Sequence, residues 1–197
     1  MKRLTTLLPL CFLLLLLSLL SGCGYNTMQA NEEAVTAAWG NVESSYQRRA
    51  DLIPNLVEVV KGYAKHESET LQAVTEARAK VGSIQVSKDV LNNPETLKKF
   101  QQAQGQLSGA LSRLMVVVEK YPDLKANQNF MDLQKQLEGT ENRINVARER
   151  YNTAVQVFNT SIRTFPNSLT NSMMLHLQRK EAFKADEGAQ VAPKVKF

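Results

Sequence analysis

The chain has 197 residues, 43% of them hydrophobic and 22% charged, enough for one domain with a sizeable core. Its formal charge of +5 falls to +3 without Lys2 and Arg3, which leaves no basic footprint for nucleic acid. Two Cys and two His exclude a disulfide framework and leave little for a histidine-based metal site.

Met1-Lys2-Arg3 opens the chain, residues 4–20 are almost wholly apolar, and Leu20-Ser21-Gly22-Cys23 follows. A cationic start, an apolar run and small residues have the order of a secretory signal, not of a folding element. The end of the run resembles the bacterial lipobox, which implies cleavage before Cys23 and a diacylglyceryl group on its sulfur. Small side chains at Ser21 and Gly22 let a peptidase grip extended backbone, and the thioether needs a thiol. Two or more acyl chains anchor stably where one is marginal. The alternatives are an ordinary cleaved signal with Cys23 incidental, and an uncleaved transmembrane helix, although an apolar run broken by Thr5, Thr6 and Pro9 is at the short limit for spanning. The expected division is therefore a lipoprotein signal over 1–22, a lipidated linker over 23–27 and an exported remainder. Gly24 in place of Asp after the cysteine favours the outer membrane, facing the periplasm, in a host with two membranes.

Beyond the linker, apolar residues recur every three or four positions, the period of a helix. Val35, Trp39, Val42, Tyr46, Ile53, Leu56, Val60 and Tyr63 keep heptad phase across Pro54, with Val74, Ala77 and Val81 beyond. Preserved phase argues for one helix kinked at Pro54. Such a rod would span about 80 Å, against about 39 Å for the helix after Pro94, so a break at 50–54 capped by Asp51 is favoured. Residues 82–92 read as a loop.

Asn93-Pro94 starts the next helix, which carries Leu97, Phe100, Leu107, Leu111, Leu114 and Val118 on one face. The run 114–118 is apolar all round and is expected to be deeply buried. Gly105 and Gly109 form a small-xxx-small pair suited to close packing in a bundle. From Asn127, a good cap, Phe130, Leu137, Ile144, Tyr151, Phe158 and Phe165 fall seven apart. Leu133, Thr140, Ala147, Ala154 and Ser161 fill the companion row, so a long helix with a coiled-coil-like seam runs to the stop at Pro166. Residues 169–183 suit a short helix and 185–197 an extended end, with Phe183, Val195 and Phe197 as apolar anchors. The fold class is all-α: an antiparallel up-and-down bundle of four long helices, the first two separate or one kinked helix.

Two blocks in this pattern resemble the LemA family. One is Gln47-Arg48-Arg49-Ala50-Asp51-Leu52-Ile53-Pro54-Asn55-Leu56-Val57, followed by Tyr63-Ala64-Lys65-His66-Glu67. The other is Tyr121-Pro122-Asp123-Leu124-Lys125-Ala126-Asn127, then Glu138-Gly139-Thr140-Glu141-Asn142-Arg143-Ile144, Ala147-Arg148, Tyr151-Asn152, Phe158-Asn159 and Phe165-Pro166. The resemblance covers 28–166 and implies a four-helix bundle attached to a bacterial envelope by one N-terminal segment, with no agreed biochemical activity. Members usually carry an ordinary hydrophobic anchor where Cys23 stands. They also continue with a Gly-Phe, Pro-rich tail where Leu175-His176-Leu177-Gln178-Arg179 stands, although Ala192-Pro193-Lys194-Val195-Lys196-Phe197 is similar to the family ending.

No catalytic, metal or cofactor motif is present in the sequence. There is no Gly-rich phosphate loop and no HExxH spacing. Glu138, Glu141 and Glu149 are more simply helix-surface partners of Arg143 and Arg148 than an acid/base pair. What periodicity does not demand is the polar set Arg48, Arg49, Asp51, Asn55, Asn142, Asn145, Arg148 and Asn152. Arg49 falls on a seam position, so a buried polar network that fixes register is expected, with Glu141 as its carboxylate; a partner groove is the functional alternative. The function expected is a non-enzymatic scaffold or adaptor, held to the membrane by lipid on Cys23 and serving another envelope protein. The alternatives are a membrane-surface bundle that self-assembles through faces such as Trp39/Val42/Tyr46, and an enzyme acting on peptide or cell-wall substrates.

Overall fold

In the computed structural model, helix α1 (Lys2–Tyr63) runs without interruption through Pro54. The structure describes residues 2–84 and 93–184, with side chains from residue 24 onward. The side chains of the expected signal over 1–22 and of Cys23, loop residues 85–92 and the extended end with Val195 and Phe197 lie outside those descriptions. A break at 50–54 does not occur. Proline lacks the N–H that would bond the carbonyl of residue 50 and normally breaks a helix interior. Here Arg78 Nε donates to the Ala50 carbonyl at 2.9 Å and satisfies the orphaned acceptor from a neighbouring helix. The chain reverses ten residues later, where Ala64 and Glu67 close a turn on the carbonyls of Val60 and Ala64.

Helix α2 (Ser68–Ser83) returns beside α1 for about 24 Å. Helix α3 (Pro94–Val118) starts at Asn93, whose side chain accepts from the Glu95 and Thr96 amides. A single turn, α4 (Pro122–Lys125), leads into α5 (Gln128–Ser161), capped by Asn127 accepting from the Phe130 amide. Trp39 and Tyr46 of α1 meet Phe100 of α3, and Trp39 also meets Tyr151 of α5. Asn127 reaches Tyr63 at the far end. The four long helices therefore alternate up, down, up, down, and no strand occurs among the described residues.

The α1–α5 contact is the most extensive, because Thr140, Ala147 and Ser161 form a small, buried row on α5. Two corrections concern α3. Val116 is 67% exposed, so 114–118 is not buried all round. Nothing lies within 4 Å of a Cβ added at Gly105 or Gly109, so that pair mediates no close approach.

The core divides in two. The distal cluster joins Ile53, Leu56, Val60, Leu71, Val74, Leu107, Leu114, Phe130 and Leu137 from all four helices. The proximal cluster joins Met28, Val35, Trp39, Phe100, Tyr151, Val155 and Phe158 from α1, α3 and α5 only, and adds Phe183. The expected helix over 169–183 is replaced by α6 (Asn167–Thr170), a π-turn (Asn171–Leu175) and an extended strap over 176–184. That strap lies along α5 and adds Phe183 to the proximal core. Trp39, Val42 and Tyr46, the face considered for self-assembly, are buried inside this chain. Among the described residues no helix is long and apolar enough to cross a membrane.

Arg78→Met should lower stability by about 1–2 kcal/mol through the unpaired Ala50 carbonyl. Pro54→Ala restores the helical donor, so the Arg78→Met cost should shrink in that background. Denaturant unfolding of the four-variant cycle checks this; additive effects would mean that Arg78 does not serve the proline's carbonyl.

Candidate functional site

Arg49 lies on the seam between the two cores, 3% exposed. A guanidinium removed from water needs charge and acceptors from the protein. Its Nη1 donates to Glu141 Oε2 at 2.9 Å and to Ser108 Oγ at 3.0 Å, and its Nη2 donates to Gln104 Oε1. The Tyr46 ring lies beneath it, 5.1 Å from the guanidinium carbon. The Arg49–Glu141 pair expected from the seam position is thus formed. Gln104 and Ser108 were not foreseen, because polar residues on a mostly apolar face of α3 give no periodic signal. Arg49 Nε and Gln104 Nε2 find no partner among the described residues.

The other polar residues of the signature blocks do not join this layer. Arg48, Asp51, Asn55, Asn142 and Asn145 are exposed, and Asp51 accepts a hydrogen bond from Gln47 at 2.7 Å on its own helix. Arg148 and Asn152 belong to a second array, which holds the strap. The Asn152 amide donates to the Phe183 carbonyl at 3.1 Å and accepts from the Phe183 amide at 2.8 Å. Asn159 makes the same pair of bonds to Lys180, both at 2.9 Å. Tyr151 Oη donates to the Glu181 carbonyl, and Arg148 donates to the Lys184 carbonyl while stacking on the Phe183 ring. Each asparagine imitates the edge of a strand and reads main chain, not side chain.

The fit of α5 to the strap is metric. Asn152 and Asn159 are two helical turns apart, about 10.5 Å, and three extended residues span about 10 Å. Two side chains fix the register. Phe183 stacks on Trp39 and meets Tyr151 edge-on, and Lys180 is buried in an ion pair with Glu32 at 2.9 Å. The heptad spacing of Asn145, Asn152 and Asn159 was the available signal for Asn159. Tyr151 read only as a seam aromatic, and Glu32 carried no signal.

Chemically, the arrangement supplies paired hydrogen-bond donors and acceptors to main chain. No group of three His, Cys, Asp or Glu side chains suited to a metal occurs among the described residues. The two shifted groups are both tyrosines made less acidic. Hydrogen bonding to Glu67 raises Tyr121, and burial, reinforced by the Glu181 carboxylate, raises Tyr151. A groove of about 730 Å³ runs beside the strap, between Gln101, Gln104 and Ser108 of α3 and Glu141 and Arg148 of α5.

Asn152→Ala strands the amide and carbonyl of Phe183 and should cost about 1–3 kcal/mol, released locally. Hydrogen exchange at the Phe183 amide should accelerate while amides of the distal core do not change. Folded Tyr151 keeps its proton at pH values where an unfolded tyrosine, near pH 10, has lost it. Its contribution is therefore complete below about pH 10 and is lost as pH rises beyond. Melting of the wild type between pH 8 and 11 should fall more steeply than that of Tyr151→Phe.

Comparison with known proteins places this architecture. The LemA family model matches residues 38–197 and so takes in the strap as well as the bundle. The LemA protein of Metamycoplasma hominis is 25% identical over 119 residues, 60% of this chain and 50% of that protein. Magnetosome protein MamQ 2 of Paramagnetospirillum magneticum is 30% identical over 146 residues, 66% of this chain and 54% of that protein. MamQ of Magnetospirillum gryphiswaldense is 28% identical over 141 residues, 64% and 52% of the two chains. The chain thus spans about half the length of the curated relatives it matches. With its signature blocks, its four alternating helices and a family match across most of its length, the chain belongs to the LemA family.

Proposed function

We propose that this LemA-family chain is a non-enzymatic scaffold or adaptor of the bacterial envelope, anchored by lipid on Cys23. The observation that carries the reading is the asparagine row of α5, a rigid surface that captures extended main chain by paired amide bonds. Such a surface suits the recognition of segments of another protein, because main-chain bonds give affinity and anchor pockets give specificity. The third member of the row, Asn145, is exposed beyond the described strap. Anchoring by Cys23 would hold this surface close to a membrane and facing away from the cytoplasm, towards the periplasm in a two-membrane host. Relatives that are named magnetosome proteins fit a role at a membrane-associated assembly.

The test is cross-linking in living cells from a photoreactive residue at position 142, exposed beside Asn145 on α5, with recovery of what is bound. A specific envelope protein should be recovered, and Asn145→Ala with Asn152→Ala should reduce its yield. Recovery of no protein above an untreated control would overturn the adaptor reading. Cys23→Ala should abolish labelling by a fatty-acid probe, and labelling that persists would refute the lipid anchor.

A further inference from the structure

After Ser161 the chain folds under the proximal end of the bundle. Thr164, Ser168 and Leu169 amides bond the carbonyls of Thr160, Thr164 and Pro166, and α6 and the π-turn follow. The turn ends at His176, with φ of 51°, and its exit is fastened by Asn171, which bonds both the amide and the carbonyl of Leu177. α6 seats against the start of the described part of α1. A Cβ added at Gly24 would meet the Asn167 side chain and lie 3.3 Å from its Cα, so α6 packs closely on the α1 backbone there.

This fastened turn presents apolar side chains outward. Phe165 is 81% exposed, Leu169 56%, Met173 72% and Met174 64%, while Leu175 and Leu177 turn inward onto the proximal core. Single exposed hydrophobes such as Val116 and Val157 need no explanation, but four large ones within ten residues do. Tyr25, 39% exposed, stands on α1 at the same end. The charges on the turn itself are cations: 163–179 contains no Asp or Glu and Arg163 and Arg179 are exposed, while Glu181 on the strap and Glu32 and Glu33 on α1 lie beyond it. The α1 backbone continues as helix below Gly24 towards the apolar residues 4–20, which start about 6 Å further along the axis.

We infer that the 163–179 turn is a second membrane contact, in which Phe165, Leu169, Met173 and Met174 enter the interface of an anionic lipid surface. Apolar side chains flanked by cations are the composition of segments that lie in the headgroup region. Arginines beside the patch select anionic lipid over neutral lipid. The position beside Gly24 places the turn at the surface whether residues 4–20 span the bilayer or a lipid on Cys23 enters it. The inference rests on the anchoring reading only for that end of α1 facing a membrane. A second contact would fix the bundle's orientation, which a single flexible anchor does not.

The full chain bound to phosphatidylcholine–phosphatidylglycerol vesicles with brominated acyl chains provides the test. Met173→Trp and Val157→Trp add a reporter to the patch and to a distant exposed site, over the same buried Trp39 background. Tryptophan at 173 should shift to the blue and be quenched several-fold more than at 157. A chain that floats with the vesicles but shows equal quenching at both positions overturns this proposal alone. A chain that does not float overturns the anchoring reading as well. Protection of position 173 that depends on protein concentration and not on lipid would show a second copy covering the patch, which also overturns it.

Discussion

A guanidinium sealed inside a helical bundle must draw its charge balance and its acceptors from the surrounding helices, and Arg49 draws them from two others. Glu141 comes from α5, Gln104 and Ser108 come from α3, and the pair is formed only in one register of the three helices. A one-turn slip would leave a buried guanidinium without partners, a larger penalty than losing one apolar contact. Glu141 keeps about half its side-chain surface in solvent, so the cost of bringing the pair inside is partial. An aliphatic residue at position 49 would join the two apolar clusters but would not specify the register.

The layer also marks a change in construction. Distal to it, α2 supplies Leu71 and Val74 to the core, and its last turns bring Arg78 to the carbonyl beneath Pro54. Proximal to it, no α2 residue is in the core, and a three-helix arrangement leaves Trp39 without a neighbour on one side. Phe183 fills that place. An extended strap has no internal hydrogen bonds, so its main chain must be satisfied from outside if it is to be buried. Asn152, Asn159, Tyr151 and Arg148 do this from one face of α5, which explains why polar residues accompany the apolar seam of that helix.

These two devices mark where the sequence was legible. The seams of α3 and of α5 as far as Ser161, the caps Asn93 and Asn127 and the Arg49–Glu141 pair follow from rules local to a helix or from a polar residue on a seam; Phe165, expected on the same α5 seam, lies beyond the end of the helix and is 81% exposed. Pro54 is not legible as tolerated because the residue that satisfies the carbonyl it orphans, Arg78, is 28 positions beyond Ala50 and looks like any surface arginine. Length, which argued for a break, gave the wrong answer because the long α1 is partnered by α5 and by the returning strap. The strap was expected as helix because nothing in 169–183 reveals that its main chain is served by side chains from another element. The Asn145/Asn152/Asn159 spacing was visible, but its meaning depends on what lies opposite. The Arg48, Asp51 and Asn55 group, which read as part of the same network, is on the solvent side of α1.

The two ends of the bundle differ in the same physical terms. At the distal end the connections are fastened by polar side chains: Asn127 donates to Tyr63, and Tyr121 donates to Glu67. Such bonds remain satisfied in water and need no further cover. At the proximal end the closing turn is fastened through main chain and through Asn171, which leaves its large side chains free to project. An end closed by polar bonds and an end closed by an apolar, cation-flanked turn are not equivalent in water. The second loses free energy unless another apolar phase covers it, at about 25 cal/mol for each Å² left exposed. The apolar residues 4–20 continue from α1 at that same end, and the polar, backbone-reading face of α5 lies along the flank.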